Sequence, residues 1–240
     1  METMSDLQAV FWDMDGTLVD TEPYWIAAER ELVESYGGAW SQEQAHLLVG
    51  QALEYSASVL QGAGVDMGNR EIIDHLTADV AARCAERIPW RPGARELLQA
   101  LNDEGVRCAL VTMSFAPLAE AIVSALPAGS LECVVTGDVV SAGKPDPEAY
   151  HSAFTMMAAD HAQRTGEELD RARCIAVEDS IPGTASAVAS GMVTVAVPHY
   201  AQLPEHGAWH LVDSLAGLGV DDLRALLRSP VPVSAAPASA

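Results

Sequence analysis

Asp13 and Asp15, two carboxylates separated by a single residue, follow directly on the apolar run Leu7-Gln8-Ala9-Val10-Phe11-Trp12. Such a run reads as a buried strand, and Asp13-Met14-Asp15-Gly16-Thr17 as the turn that ends it. Three further polar groups stand at comparable places. Thr112 follows the apolar stretch 106–111, Lys144 lies in the loop Gly143-Lys144-Pro145-Asp146-Pro147, and Glu178-Asp179-Ser180 closes the run Cys174-Ile175-Ala176-Val177. Taken singly, each is an ordinary polar turn. In an open α/β sheet, however, chemistry collects beyond the carboxyl ends of the strands, and all of these residues then face one edge. The carboxylates of Asp13, Asp15, Glu178 and Asp179 in one cleft repel one another unless a cation sits among them. Oxygen-only ligation without His or Cys suits Mg²⁺. A hydroxyl and an ammonium converging on the same point suit the non-bridging oxygens of a phosphoryl group.

The elements that position these residues can be read along the chain. Residues 21–89 carry only helical signals. Thr21 is placed to cap a helix with Glu22 and Pro23 in its first turn, Trp25, Ala28, Leu32 and Tyr36 recur at helical spacing, and Gly37-Gly38 stops the run. Ser41-Gln42-Glu43-Gln44 has the form of a capping box, opening a second helix expected to end near Gly50. Leu53, Ala57 and Leu60 mark a third helix, and Asn69 is placed to cap a fourth through Ile73, Leu76, Val80 and Cys84. From residue 90 onward, helix and strand alternate: strands at 106–111, 133–135, 174–177 and 193–197, helices after Pro92 and at 117–126, 148–157 and 182–190. Alternation of this kind implies a doubly wound parallel sheet with helices on both faces, an α/β fold. The expected organisation is a core of 1–20 and 90–229, a small all-helical cap of 21–89 inserted after the first strand, and a disordered tail of 230–240. The polar stretch 160–173 either extends the helix before it or forms a surface excursion.

Composition narrows the function classes. A net charge of −21 disfavours nucleic acid and anionic membrane surfaces as partners. No apolar run approaches the roughly 18 residues a membrane span needs, and the acidic start of the chain lacks a signal peptide's basic region. The chain reads as soluble and cytoplasmic, and as a monomer. Cys84, Cys108, Cys133 and Cys174 are scattered and are expected as reduced thiols. Of the 13 basic residues, Lys144 is the one lysine. A chain that does not use lysine for solubility has placed this one for a purpose.

These residues, in this order and spacing, resemble the motifs of the haloacid dehalogenase (HAD) superfamily of phosphotransferases. Asp13-Met14-Asp15-Gly16-Thr17-Leu18-Val19 matches the first motif, Thr112 the second, Lys144 the third, and Glu178-Asp179-Ser180 with Gly183 the fourth. A helical insert between the first and second motifs resembles the cap of the β-phosphoglucomutase-like subgroup. The resemblance implies that Asp13 attacks phosphorus to form an aspartyl-phosphate, while Asp15 acts as general acid and then general base. It implies Mg²⁺ held by the carboxylate of Asp13, the main-chain carbonyl of Asp15, and Asp179, with Glu178 assisting. Thr112 and Lys144 would bind the phosphoryl group, helped by the backbone N–H groups of Met14, Gly16 and Met113.

The implied activity is hydrolysis of a small phosphate monoester, a sugar or polyol phosphate first. Substrate choice would fall to cap residues such as Glu22, Tyr24, Trp25, Gln51 and Tyr55. A sugar-phosphate mutase is the alternative within the family. It needs a second anion grip, yet Phe115 stands where mutases favour a basic residue, and 21–89 holds Arg30, Arg70, Arg83 and Arg87 against 11 acids. The absence of any lysine before Lys144 excludes a cap Schiff base, and Asp15 disfavours dehalogenation, which has no leaving oxygen to protonate. A phospho-accepting signalling domain uses a similar acid–hydroxyl–lysine set, without a helical lid.

Overall fold

β1 (Ala9–Trp12) lies between β2 (Arg107–Val111) and β4 (Cys174–Glu178) in the computed structural model, which describes residues 7–49, 51–204 and 207–229. β3 (Cys133–Val135) pairs with β2, β5 (Val193–Ala196) with β4, and β6 (His210–Leu211) with β5. Every pairing is parallel, so the sheet is a six-stranded parallel one of order β3-β2-β1-β4-β5-β6 among the described residues. The order reverses direction at β1, which makes its carboxyl end the switch point where crevices form.

β1 is apolar throughout because both its faces are covered. Val10 and Trp12 pack with α5 (Ala94–Asp103), α6 (Ala116–Ser124) and α9 (Val220–Arg228). Ala9 and Phe11 pack on the other face with α7 (Glu148–Thr165) and α8 (Ile181–Ala189). Register then places the chemistry. Trp12 pairs with Leu110 and with Val177, so the next residue, Asp13, stands level with Val111 and Glu178. Its N–H donates to the Val177 carbonyl at 3.0 Å, holding the turn against β4.

Between β1 and α5 come α1 (Glu22–Ser35), α2 (Gln42–His46), α3 (Leu53–Gly62) and α4 (Asn69–Glu86). They pack on one another, and α4 lies along α6. The chain enters and leaves this segment side by side. Asp20 N–H donates to the Pro89 carbonyl at 2.8 Å, and Arg91 N–H to the Leu18 carbonyl at 3.0 Å. A strap from the loop after β5 crosses both linkers: Arg91 reaches His199 Nδ1 at 2.8 Å, His199 Nε2 lies 3.0 Å from Asp20, and Tyr200 donates to Asp20 at 3.1 Å.

Several expectations change in detail. The capping box of Ser41 and Gln44 is present, but its helix ends at His46, and Gly50 lies outside the described residues. Gly68, not Asn69, caps α4; the Glu71 side chain accepts the Gly68 N–H, a role that needs only a backbone donor. Thr21 stands before α1 without a side-chain capping bond, because its hydroxyl is committed elsewhere. The polar stretch 160–173 is helical as far as Thr165, after which Gly166 turns the chain at φ 75°. β6 and α9 were not anticipated, though Val220, Leu223 and Leu227 have the spacing of an amphipathic helix. The expected tail, 230–240, lies outside the described residues. Cys84, Cys108, Cys133 and Cys174 are all free thiols, and no described helix is long and apolar enough to cross a membrane.

Gly93 caps α5 at φ +80°, and a side chain there would run into the Leu215 main chain. Gly93→Ala should therefore lower stability by about 2 kcal/mol, from left-handed strain and overlap together. Urea unfolding midpoints of the two proteins measure it.

Candidate active site

Three carboxylates and one ammonium meet past the ends of β1 and β4. Lys144 Nζ donates to Asp13 Oδ1 at 2.6 Å and to the Val111 carbonyl at 2.9 Å, and lies 2.7 Å from Glu178 Oε1. These contacts occupy all of its donors. Burial alone would depress the ammonium's pKa, but the charges of Asp13 and Glu178 outweigh it and hold the value above the ordinary lysine range. Asp13, Glu178 and Asp179 each offer a carboxylate oxygen within 4.8 Å of the others. Burial, then the charges of Asp13 and Glu178, push Asp179 upward. Glu178 is raised by burial and by Asp13, with Lys144 opposing.

Two oxygens of this group, Asp13 Oδ2 and Glu178 Oε2, are buried without a hydrogen-bond partner. An orphaned carboxylate oxygen beside two other acids is costly in protein surroundings. The arrangement fits a hard divalent cation, which takes oxygen ligands and would satisfy them. Two glycines make room for it. A side chain on Gly16, which sits at φ +87°, would overlap the Asp179 carboxylate, and one on Gly183 would overlap that of Glu178.

Asp15 stands apart from this trio, inside a cage of hydroxyls. Thr21 donates to its Oδ1 at 2.5 Å, and Ser114 and Thr112 donate to its Oδ2 at 2.7 and 3.2 Å. Its pKa is raised, first by desolvation and then by the charge of Asp13, while the hydroxyls act the other way. A carboxyl so placed takes up a proton more readily than a free one and is still stabilised after losing it. Hydroxyls suit both states because each can donate or accept. Ser114 and the role of Thr21 were missed in the sequence. The only signals were Ser114's place two residues after Thr112 and a Thr followed by an acidic first helical turn, which reads as an ordinary cap.

The six residues expected to converge, Asp13, Asp15, Thr112, Lys144, Glu178 and Asp179, are linked by these contacts. The backbone positions differ more. Gly16 N–H donates to the Val19 carbonyl at 2.7 Å, so Gly16 supplies space for Asp179 and its expected place as a phosphate donor is taken. Met14 is wholly buried, and Met113 Sδ accepts the Lys144 N–H at 3.3 Å.

Among the residues expected to choose the substrate, Glu22 is half-buried. Burial and the nearby charges of Glu29, Asp15 and Asp20 raise its pKa to about 8. Tyr24 donates to the Arg87 carbonyl at 2.9 Å, bracing the exit linker, and Trp25 is buried in the core. Gln51 and Tyr55 are exposed. One acid was not anticipated: Glu29, two helical turns from Glu22, is only 5% exposed, and burial raises it to about 7 with Trp40 opposing.

Comparison with known proteins places the fold and the family. A family model for haloacid dehalogenase-like hydrolases matches residues 7–191. The crystal structure of CbbY from Rhodobacter sphaeroides in complex with phosphate superposes with a TM-score of 0.78 at 28% identity, over 91% of this chain and 99% of that one. β-Phosphoglucomutase from Clostridium difficile shares the fold, with a TM-score of 0.72 at 16% identity over 92% and 97% of the two chains. Hexitol phosphatase B of Escherichia coli K12 is 25% identical over 206 residues, 82% of this chain and 86% of its own. The chain belongs to the haloacid dehalogenase-like hydrolases.

Proposed function

We propose that this hydrolase is a Mg²⁺-dependent phosphatase that cleaves a small phosphate monoester, a sugar or polyol phosphate, by way of an aspartyl-phosphate. The observation that carries the reading is the division among the acids. Asp13 shares a cation-ready pocket with Lys144, whereas Asp15, two residues on, is caged by hydroxyls with a raised pKa. One carboxylate is placed beside the ammonium for attack, and its neighbour is placed to donate a proton.

In this reading a carboxylate oxygen of Asp13 forms a bond to phosphorus as the bond to the leaving oxygen breaks, and Asp15 gives its proton to that oxygen. Asp15, now a carboxylate, takes a proton from water. The water oxygen then bonds to phosphorus, the bond to Asp13 breaks, and free phosphate leaves. Lys144 and Thr112 face the transferring group, with the N–H groups of Met14 and Met113 beside them. Asp13, Glu178, Asp179 and the main-chain carbonyl of Asp15 would hold Mg²⁺, which supplies positive charge for the phosphoryl oxygens. The segment 21–89 serves as the cap, and its adjacent linkers are the hinge on which it closes to exclude water.

A leaving group without a second phosphate fits the cap better than the bisphosphate a mutase must hold. Glu22 lies within reach of the charges of Asp15 and Glu29, and the cap cation beside Phe115 is already engaged. Arg70 lies 5.4 Å from the Phe115 ring and makes paired contacts with Asp74 at 2.9 and 3.0 Å. The relationship to a hexitol phosphatase supports a polyol leaving group.

A panel of phosphate monoesters, run with Mg²⁺ and with chelator, should show metal-dependent phosphate release. Asp13→Asn should abolish both turnover and acid-stable phosphoprotein, and Asp15→Asn should cost roughly 10²–10⁴ in rate. Metal-independent release, or an active Asp13→Asn, would sink the mechanism. Thr21→Val removes a bond that lowers the Asp15 pKa, so the alkaline-side inflection of the kcat/KM–pH profile, where the general acid loses its proton, should move to higher pH. Glu29, held near 7, keeps in the folded chain a proton that the unfolded chain has released. Its contribution to stability therefore falls as pH rises between about 4.5 and about 7, and Glu29→Gln should stabilise by about 2 kcal/mol at pH 8 and not at pH 4. Thermal melts at the two pH values check this.

A further inference from the structure

Tyr150 lies in the first turn of α7, on the face of the sheet away from the cap, and is fully buried. Its hydroxyl donates to Glu178 Oε1 at 2.7 Å, the same oxygen that Lys144 Nζ approaches at 2.7 Å. The ring lies 5.2 Å from that ammonium. On its other side Glu178 is confined by Gly183, whose missing side chain leaves just enough space for Oε2. Glu178 is thus fixed by one neutral donor, one cation and one steric wall.

These three restraints are not equivalent during turnover. Under the proposed function, Lys144 must lend hydrogen bonds to a phosphoryl group, which loosens its hold on Glu178. The tyrosine hydroxyl faces away from any substrate and has no such second duty. We propose that Tyr150 is a positioning residue for the cation site: its hydroxyl keeps Glu178 oriented toward Asp13 and Asp179 while Lys144 engages the phosphoryl group. Its ring separately seats the Lys144 ammonium from below. The inference rests on reading Asp13, Glu178 and Asp179 as a Mg²⁺ site. Partners that orient a metal ligand are worth a substantial part of the affinity even though they never touch the ion.

Tyr150→Phe deletes the hydroxyl and keeps the ring, so it isolates the first role without opening a cavity. Mg²⁺ titrated into the full-length protein without substrate, followed by calorimetry, should give a Kd about 10–100-fold weaker for Tyr150→Phe than for the wild type. A double-mutant cycle separates positioning from general stability. In a Glu178→Ala background, Tyr150→Phe should change the Mg²⁺ Kd by less than about twofold, because the partner it orients is gone. Tyr150→Leu, which also removes the ring, should match Tyr150→Phe in Mg²⁺ affinity and in addition raise KM for the phosphate ester. Equal Mg²⁺ affinity of wild type and Tyr150→Phe, or an undiminished effect in the Glu178→Ala background, would overturn the inference and leave the cation site standing. A wild-type protein that does not bind Mg²⁺ at millimolar concentration would overturn the site itself, and the role of Tyr150 with it.

Discussion

A buried ammonium held between two buried carboxylates is the constraint from which the rest of the site follows. Lys144 touches Asp13 and Glu178 at 2.6 and 2.7 Å with its side chain only 5% exposed. Removing such charges from water costs several kcal/mol each, and their attraction offsets this only when geometry and hydrogen bonding are good. The chain meets that demand through register. Asp13 and Glu178 come from adjacent strands at one level, and the Val111 carbonyl from the third strand takes the remaining donor. Asp179, one residue on, has no ammonium of its own. The site is therefore short of positive charge by construction, which is the condition for taking up a divalent ion and then an anionic group.

Much of the fold was legible because its signals are local and repeated. The run 7–12 could be read as a two-sided buried strand since nothing polar interrupts it beyond Gln8, and the structure covers both of its faces. Ser41 with Gln44, and the glycines after α1 and α3, mark helix boundaries through backbone chemistry that hardly depends on surroundings. The convergence of Asp13, Lys144 and Glu178 could also be expected, since a parallel sheet brings strand ends to one edge.

What could not be read depends on contacts far apart in sequence. Thr21 has every local attribute of a helix cap, yet its hydroxyl serves Asp15, and the choice between those uses is made in three dimensions. Ser114 is unremarkable until Asp15 is seen beside it. Gly16 belongs to the same class. Sequence suggests a turn donor, whereas the structure shows its N–H tied to Val19 and its missing side chain filled by Asp179. Glu29 looks like one more surface acid on an amphipathic helix, and only packing against Trp40 reveals it as buried. Short elements fare worst of all: β6 has two residues and no pattern to detect.

The paired linkers bear on how the chain assembles. β1 and β2 are neighbours in the sheet although the whole of α1 to α5 lies between them in sequence. Contacts so distant along a chain are slow to form, because the ends of a long loop must find each other before any pairing rewards the search. In the folded chain the contacts from Asp20 to Pro89 and from Arg91 to Leu18 tie the two ends of that loop together. Some seventy intervening residues therefore leave and rejoin the sheet through ends as close as those of a tight turn.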